Sequence, residues 1–232
     1  MKNIFNYIVL GVLIAFTVTS CSRKKDKFLN RSWHSVNTKY NVLYNGNVAL
    51  ESGKISVIAD YKDNYWEILP VERLQITDDI VISTKSKNPN IELAEVKAVK
   101  AIQKHGMNIK GKEKNPQIDE AYILLGQARY FDNRFIPALE AFNYILFKYP
   151  TSQYINHVKI WKEKINIRPG QSETAIVNLK ELILDNKLEN QDLAEANIYL
   201  AQAYINTRSQ DSATSCLKTA RQLISEKPLR AR

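Results

Sequence analysis

The sequence predicts an all-α chain in which antiparallel helix pairs stack into an α-solenoid. Three observations predict it. Residues 119–150, DEAYILLGQARYFDNRFIPALEAFNYILFKYP, set large apolar residues, one Gly, one Ala and a closing Pro at spacings that suit two antiparallel helices. Residues 194–225 return to much of that order. The remaining apolar residues recur at helical spacing over most of the chain. Seven Gly and seven Pro in 232 residues, with 44% hydrophobic residues, are the composition of a globular chain rather than a low-complexity one.

The 119–150 stretch matches the tetratricopeptide pattern, a helix–turn–helix unit of 34 residues. Tyr122 holds the first aromatic position, Leu125-Gly126 the Leu-Gly pair, and Ala138, Phe142 and Pro150 the later positions. Gly126 and Ala138 allow a close helix approach; Tyr122, Leu125 and Phe142 fill the seam. Pro150 stops the second helix because it has no N–H to donate. Arg129 replaces the usual Tyr, with Tyr130 beside it, and Ile145 replaces a small residue.

Along the chain, Met1 to Ser20 read as a signal peptide. Lys2 gives the positive start, and the apolar core Ile8–Phe16 is too short to span a bilayer. TVTSC at Thr17–Cys21 resembles a bacterial lipobox, with Val18 where Leu is usual. It implies that Cys21 becomes the lipidated N-terminus of an anchored protein. Cys216 is then the only thiol, and no internal disulfide can form. Residues 21–31 read as a lipidated basic tether with five Lys/Arg and no acidic run. It reads first as a solvated linker; beside a lipid anchor its charges would also be drawn to anionic headgroups, by about 1 kcal/mol per charge.

Residues 32–115 read as a helical, repeat-like N-terminal region. Trp33, Val36, Tyr40, Leu43 or Tyr44, and Val48 follow helical spacing, so this aromatic stripe is expected in the core. Gly46 is read as a tolerated helical Gly, costing about 1 kcal/mol. Gly53 is read as punctuation before a second helix from Ile55 to about Trp66, which Pro70 ends. Val71–Asn90 is read as loop, and Ile80-Val81-Ile82 has no strand partner nearby. Ile91–His105 is an amphipathic helix with Gly106 at its C-cap. Met107–Pro116 is a basic connection.

Repeats then fill 116–228, as units at 119–150, 153–187 and 194–225. The middle one is degenerate: Tyr154–Ile167 and a helix N-capped by Ser172 and running to Leu184. The last holds Leu200-Ala201, Tyr204, Ala213, Leu217 and Ala220 at repeat positions. Three units are about the minimum for such an array. Residues 229–232 follow with no polar capping helix, so a longer array or a truncated product is expected.

Four stretches carry a wider resemblance: WHSVNTKYNVLYNGN (33–47), DNYWEILPVER (63–73), AVKAIQKH (98–105) and residues 111–150. Together they resemble the SprE/PorW family, the tetratricopeptide lipoproteins of type IX secretion and gliding motility in Bacteroidetes. The resemblance covers residue 21 to about 185, and its specific part is the non-repeat sequence. It implies an outer-membrane lipoprotein facing the periplasm, which acts by contact with protein components of the type IX translocon. The alternative is a lipoprotein of outer-membrane β-barrel assembly, similar to BamD.

An enzyme is not expected. The chain has no G-x-x-x-x-G-K-[ST], no G-x-S-x-G and no H-E-x-x-H, and Asp78-Asp79 is a lone acidic pair. His34, His105 and His157 are scattered without metal-ligand spacing, so no metal, cofactor or small-molecule substrate is expected. The formal charge of +9 would suit nucleic acid, but the compartment excludes it. The expected partner-binding face is the outward side of each repeat's first helix. It comprises Glu120, Ile123, Gln127 and Tyr130 in the first clear repeat, and Glu195, Ile198, Gln202 and Ile205 in the last.

Overall fold

The computed structural model describes residues 22–75, 88–185 and 188–224. Cys21 and its leader, the Ile80–Ile82 run, Asp78-Asp79 and the 229–232 tail lie outside the described residues. The described chain is mostly helical, as the periodicity predicts, with one hairpin of two-residue strands.

The first helix, α1 (Phe28–Asn37), passes through a π-turn at Thr38–Leu43 directly into α2 (Tyr44–Ala59). The rod therefore begins inside the stretch read as tether and runs through Gly53 without a break. No helix covers Ile55 to Trp66: past Ala59 the chain turns and becomes irregular through residue 75. The partner of α2 is instead α3 (Pro89–Lys100), which ends in a second π-turn at Ala101–His105. Both glycines of α2 have the same cause. A Cβ at Gly46 would stand 2.5 Å from Leu124 Cδ2, and one at Gly53 would strike the side chain of Ile91. They are contact points between helices, neither a tolerated defect nor a break.

Helix α3 starts as its sequence requires. Pro89 sits in the first turn, and the Asn88 carboxamide oxygen accepts from the N–H groups of Asn90 and Ile91. Ile91, Ala94, Ala98 and Ala101 are all fully buried. Gly106 follows at the C-cap in extended backbone. The basic connection folds as a hairpin of β1 (Asn108–Ile109) and β2 (Lys112–Glu113), turned at Lys110 and Gly111, both with positive φ.

Three helix pairs follow: α4 (Ile118–Phe131) with α5 (Phe135–Lys148), α6 (Ile155–Ile167) with α7 (Ser172–Leu184), and α8 (Asn190–Asn206) with α9 (Gln210–Leu223). Each pair packs on the next through α5–α6, α6–α8 and α7–α8 contacts. Gly126 meets Phe142 as its spacing requires, since an added Cβ would lie 2.6 Å from that ring. Ile145 is fully buried, and Trp161 stacks on Phe142 at 5.7 Å, so large residues fill what a regular pair would leave to small ones. Ser172 does not cap α7: it lies inside the first turn, and its hydroxyl accepts from Asn206 of α8.

One hydrophobic core runs from α2 to α6 and includes Leu50, Ile91, Leu124, Phe142 and Trp161. A smaller one around Ile160, Leu179 and Leu200 joins α6 to α8. The aromatic stripe of α1 and α2 belongs to neither. Trp33, Val36, Tyr40, Tyr44 and Val48 are exposed, and the opposite face, with Asn30, His34, Thr38, Gly46, Ala49 and Gly53, is the buried one.

Candidate functional site

The N-terminal helices of the three pairs, α4, α6 and α8, converge on a short strap, residues 71–75. Glu72 is its centre. Its carboxylate accepts from Lys164 Nζ at 2.6 Å, Arg168 Nη2 at 2.5 Å and the Tyr130 hydroxyl at 2.5 Å. Arg168 Nε also donates to the Tyr130 oxygen, at 2.7 Å. On either side of Glu72, the Val71 N–H donates to Gln202 Oε1 at 2.7 Å, and Asn133 donates to the Gln75 carbonyl. One pocket is lined by Val71, Glu72, Lys164, Arg168, Tyr199 and Gln202 among others.

Every charge in this cluster is taken out of water and then paired. Lys164 is buried among rings, 4.0 Å from the Trp161 centroid, 4.6 Å from Tyr130 and 4.8 Å from Tyr199. Ring faces attract an ammonium, but one carboxylate carries most of its neutralisation. Burial alone would raise the Glu72 carboxyl; Lys164 and Arg168 outweigh it and hold it down to about 2. Burial also pushes the Tyr130 hydroxyl up, reinforced by the Glu72 charge, so it stays a donor. Burial lowers the Lys164 ammonium against the pull of Glu72. The arrangement binds a carboxylate, here that of the chain's own Glu72.

The expected binding residues fall into two groups. Tyr130 and Gln202 reach the groove, but the chain's own strap engages both. Ile123 is buried in the α2–α6 core, so the reading of Ile123 and Tyr130 as an exposed patch is corrected. The cause is neighbour packing: α2 and α3 cover α4, and the strap with α6 covers Tyr130. Glu120 accepts from the Tyr154 hydroxyl of α6, and Glu195 contacts His157. Gln127, Ile198 and Ile205 are half-buried. The strap with Glu72, and its partners Lys164, Arg168 and Tyr199, are absent from the expected set. Their signal in the sequence was Trp161, Lys164 and Arg168 on one helical face, where two cations follow an aromatic into the interior.

The histidines are not scattered in space. His34 and His105 meet at 3.2 Å between their Nδ1 atoms, where the two π-turns adjoin. Asn115 ties that junction, donating to Thr38 Oγ1 at 2.9 Å and to the His105 carbonyl at 3.0 Å. His157 Nδ1 lies 3.3 Å from Glu195 and 3.7 Å from Asp192. Among the described residues this trio has the donor set of a divalent-cation site, with ligand atoms within 4.8 Å of one another. Burial would lower the imidazole, but the two carboxylates outweigh it and raise it to about 9. In the structure the trio joins α6 to α8 as a partly buried ion pair.

What the fold defines is a mostly helical chain, with no described helix long and apolar enough to cross a membrane. No protein-family model matches the chain, and no curated protein does.

Proposed function

We propose that this chain is a tetratricopeptide-type scaffold lipoprotein that works by protein–protein contact, held to the outer membrane by Cys21 and facing the periplasm. Its partners are protein components of the type IX secretion translocon, so its loss blocks export through that system and gliding. The observation that carries the scaffold reading is the alignment of α4, α6 and α8 along one groove, each the first helix of its pair. Stacked pairs present such a row of first helices as a binding surface. The secretion reading rests on the non-repeat stretches at residues 33–47 and 63–73, which resemble the SprE/PorW family.

The second of those stretches contains Glu72, so the sequence that carries the resemblance also fills the groove. That gives the stretch a physical role independent of the family.

Two experiments test the reading. Affinity capture of the tagged full chain from its own cells is expected to recover type IX components. Recovery of the barrel-insertion protein instead would favour the outer-membrane assembly alternative. Cys21→Ala is expected to move the protein to the soluble periplasmic fraction or leave an uncleaved precursor. A mutant of mature size that stays in the outer membrane would overturn the anchor.

A further inference from the structure

The outer face of the α1–α2 rod carries a line of apolar side chains, interrupted between Val48 and Ile55 by the exposed Glu51 and Ser52. Leu29, Trp33, Val36, Tyr40, Tyr44, Val48 and Ile55 are between 51% and 74% exposed. Their spacing steps by three, four or seven residues, so they form one line along the helix. The π-turn at Thr38–Leu43 adds a residue to the winding and keeps the two halves in register. From Leu29 to Ile55 the line extends about 40 Å. The inner face packs on α3 and α4 at the same time. A row of this length is costly to leave in water, and isolated surface apolar residues do not line up in this way.

We propose that this stripe lies on the surface of an anionic phospholipid bilayer and fixes the orientation of the array on its membrane. Three features favour a bilayer. The first is composition: Trp33, Tyr40 and Tyr44 are rings with an apolar body and a polar edge, the side chains that settle at the headgroup level. The second is charge. From Arg23 to Glu51 six cations, Arg23, Lys24, Lys25, Lys27, Arg31 and Lys39, stand against two acids, Asp26, which pairs with Arg31 and Lys114, and Glu51, which pairs with Lys54. Two such faces brought together as a dimer would oppose cations to cations, whereas an anionic surface attracts them. The third is reach. Cys21 stands seven residues before Phe28, at most about 25 Å of chain. Ser22 and Lys25 fold back to accept from the Asn30 carboxamide, and Arg23 donates to the Gln103 carbonyl. An anchor at Cys21 therefore brings the start of the stripe to the lipid surface. This last feature rests on the lipoprotein reading; the first two do not.

A rod lying flat against the bilayer puts α3 and α4 on its far side and the later pairs beyond them. The groove is then carried away from the lipid, where a periplasmic partner can approach it.

The test separates the stripe from the anchor. The mature chain, made without its leader and with Cys21→Ser, carries no acyl chain. It is mixed with vesicles of phosphatidylethanolamine and phosphatidylglycerol, floated on a density gradient, and expected to float with the lipid. Recovery should fall at least tenfold on pure phosphatidylcholine. It should fall as far for Trp33→Ser/Tyr40→Ser/Tyr44→Ser, whose helical circular dichroism is expected to be unchanged because the three side chains are exposed. Brominated acyl chains should quench tryptophan emission in the parent and not in Trp33→Phe. Full recovery of the triple variant would overturn the proposal, as would quenching that persists in Trp33→Phe, which would place Trp66 in the lipid instead. A parent that stays at the bottom of the gradient also overturns it; if that parent is dimeric in light scattering, a second copy covers the stripe. Because no acyl chain is present, none of these results depends on whether Cys21 is lipidated in cells.

Discussion

At Gly126 one hydrogen atom decides how closely two helices approach. The Phe142 ring fills the space a Cβ would need, and Phe142 cannot withdraw because Trp161 stacks on its other side. Gly126→Leu is therefore expected to lower stability by about 1–3 kcal/mol or more, read as a drop in melting temperature. His157 acts through charge. Its folded pKa, about 9, lies above the unfolded 6.5, so its contribution is fully present below pH 6.5 and is lost as pH rises through 9. At 1.36 kcal/mol per unit the full contribution is on the order of 3 kcal/mol. Denaturant melts of wild type and His157→Gln should differ by that much at pH 6 and converge by about pH 10. A gap that stays constant with pH would mean that only packing is lost. Glu72 has the opposite sign. Its folded pKa is depressed from 4.5 to about 2, so its contribution is present above pH 4.5 and disappears as pH falls toward 2.

Among the elements, α3 to α9 were legible because the helical period and the Gly/Pro punctuation agreed there, although Ser172 does not cap α7. The α1–α2 rod was legible as a helix and not as an orientation. Periodicity shows that apolar residues share a face; it does not say which face is covered. Here the covered face mixes Val42, Leu43 and Leu50 with Asn30, His34, Thr38, Gly46, Ala49 and Gly53, small or polar residues that permit close packing. Hydropathy alone therefore picks the wrong face for Trp33, Tyr40 and Tyr44. Gly53 was misjudged for a related reason, since its role depends on Ile91, which lies on another helix. Gly53→Leu is expected to push α2 off α3, because a side chain there meets Ile91 on both its side chain and its backbone N, the latter 3.2 Å from the Cβ position. Protease cleavage within residues 44–59 should then rise well above wild type while α6 to α9 stay protected. An unchanged digestion pattern would mean that the α2–α3 contact is dispensable. The strap was illegible for a stronger reason. Nothing local to residues 71–75 shows that Glu72 will meet a lysine and an arginine from a helix more than ninety residues later.

For the whole molecule, Glu72 links parts that the stack of helix pairs would otherwise keep apart. Lys164 and Arg168 belong to α6 and Tyr130 to α4, while the strap leaves from α2. Glu72→Gln removes the carboxylate that forms the ion pair with Lys164 and leaves buried cations behind. The expected loss is about 3–5 kcal/mol, the usual result of breaking one side of a buried pair. A wild-type melting temperature in Glu72→Gln would show that the strap is not fastened to the groove.

That fastening changes the kind of object the array is. In a plain stack each unit feels only its neighbours, so the ends can fray and folding can spread from any point. A cross-tie from residue 72 to residues 164 and 168 makes the two ends share one fate. The chain should melt in a single calorimetric step, and the untied Glu72→Gln variant in two. During synthesis, too, Glu72 has only the Tyr130 hydroxyl until α6 has been made, so its charge is not neutralised within the N-terminal half. The groove becomes the last part of the protein to form and, once formed, the part that holds the rest together.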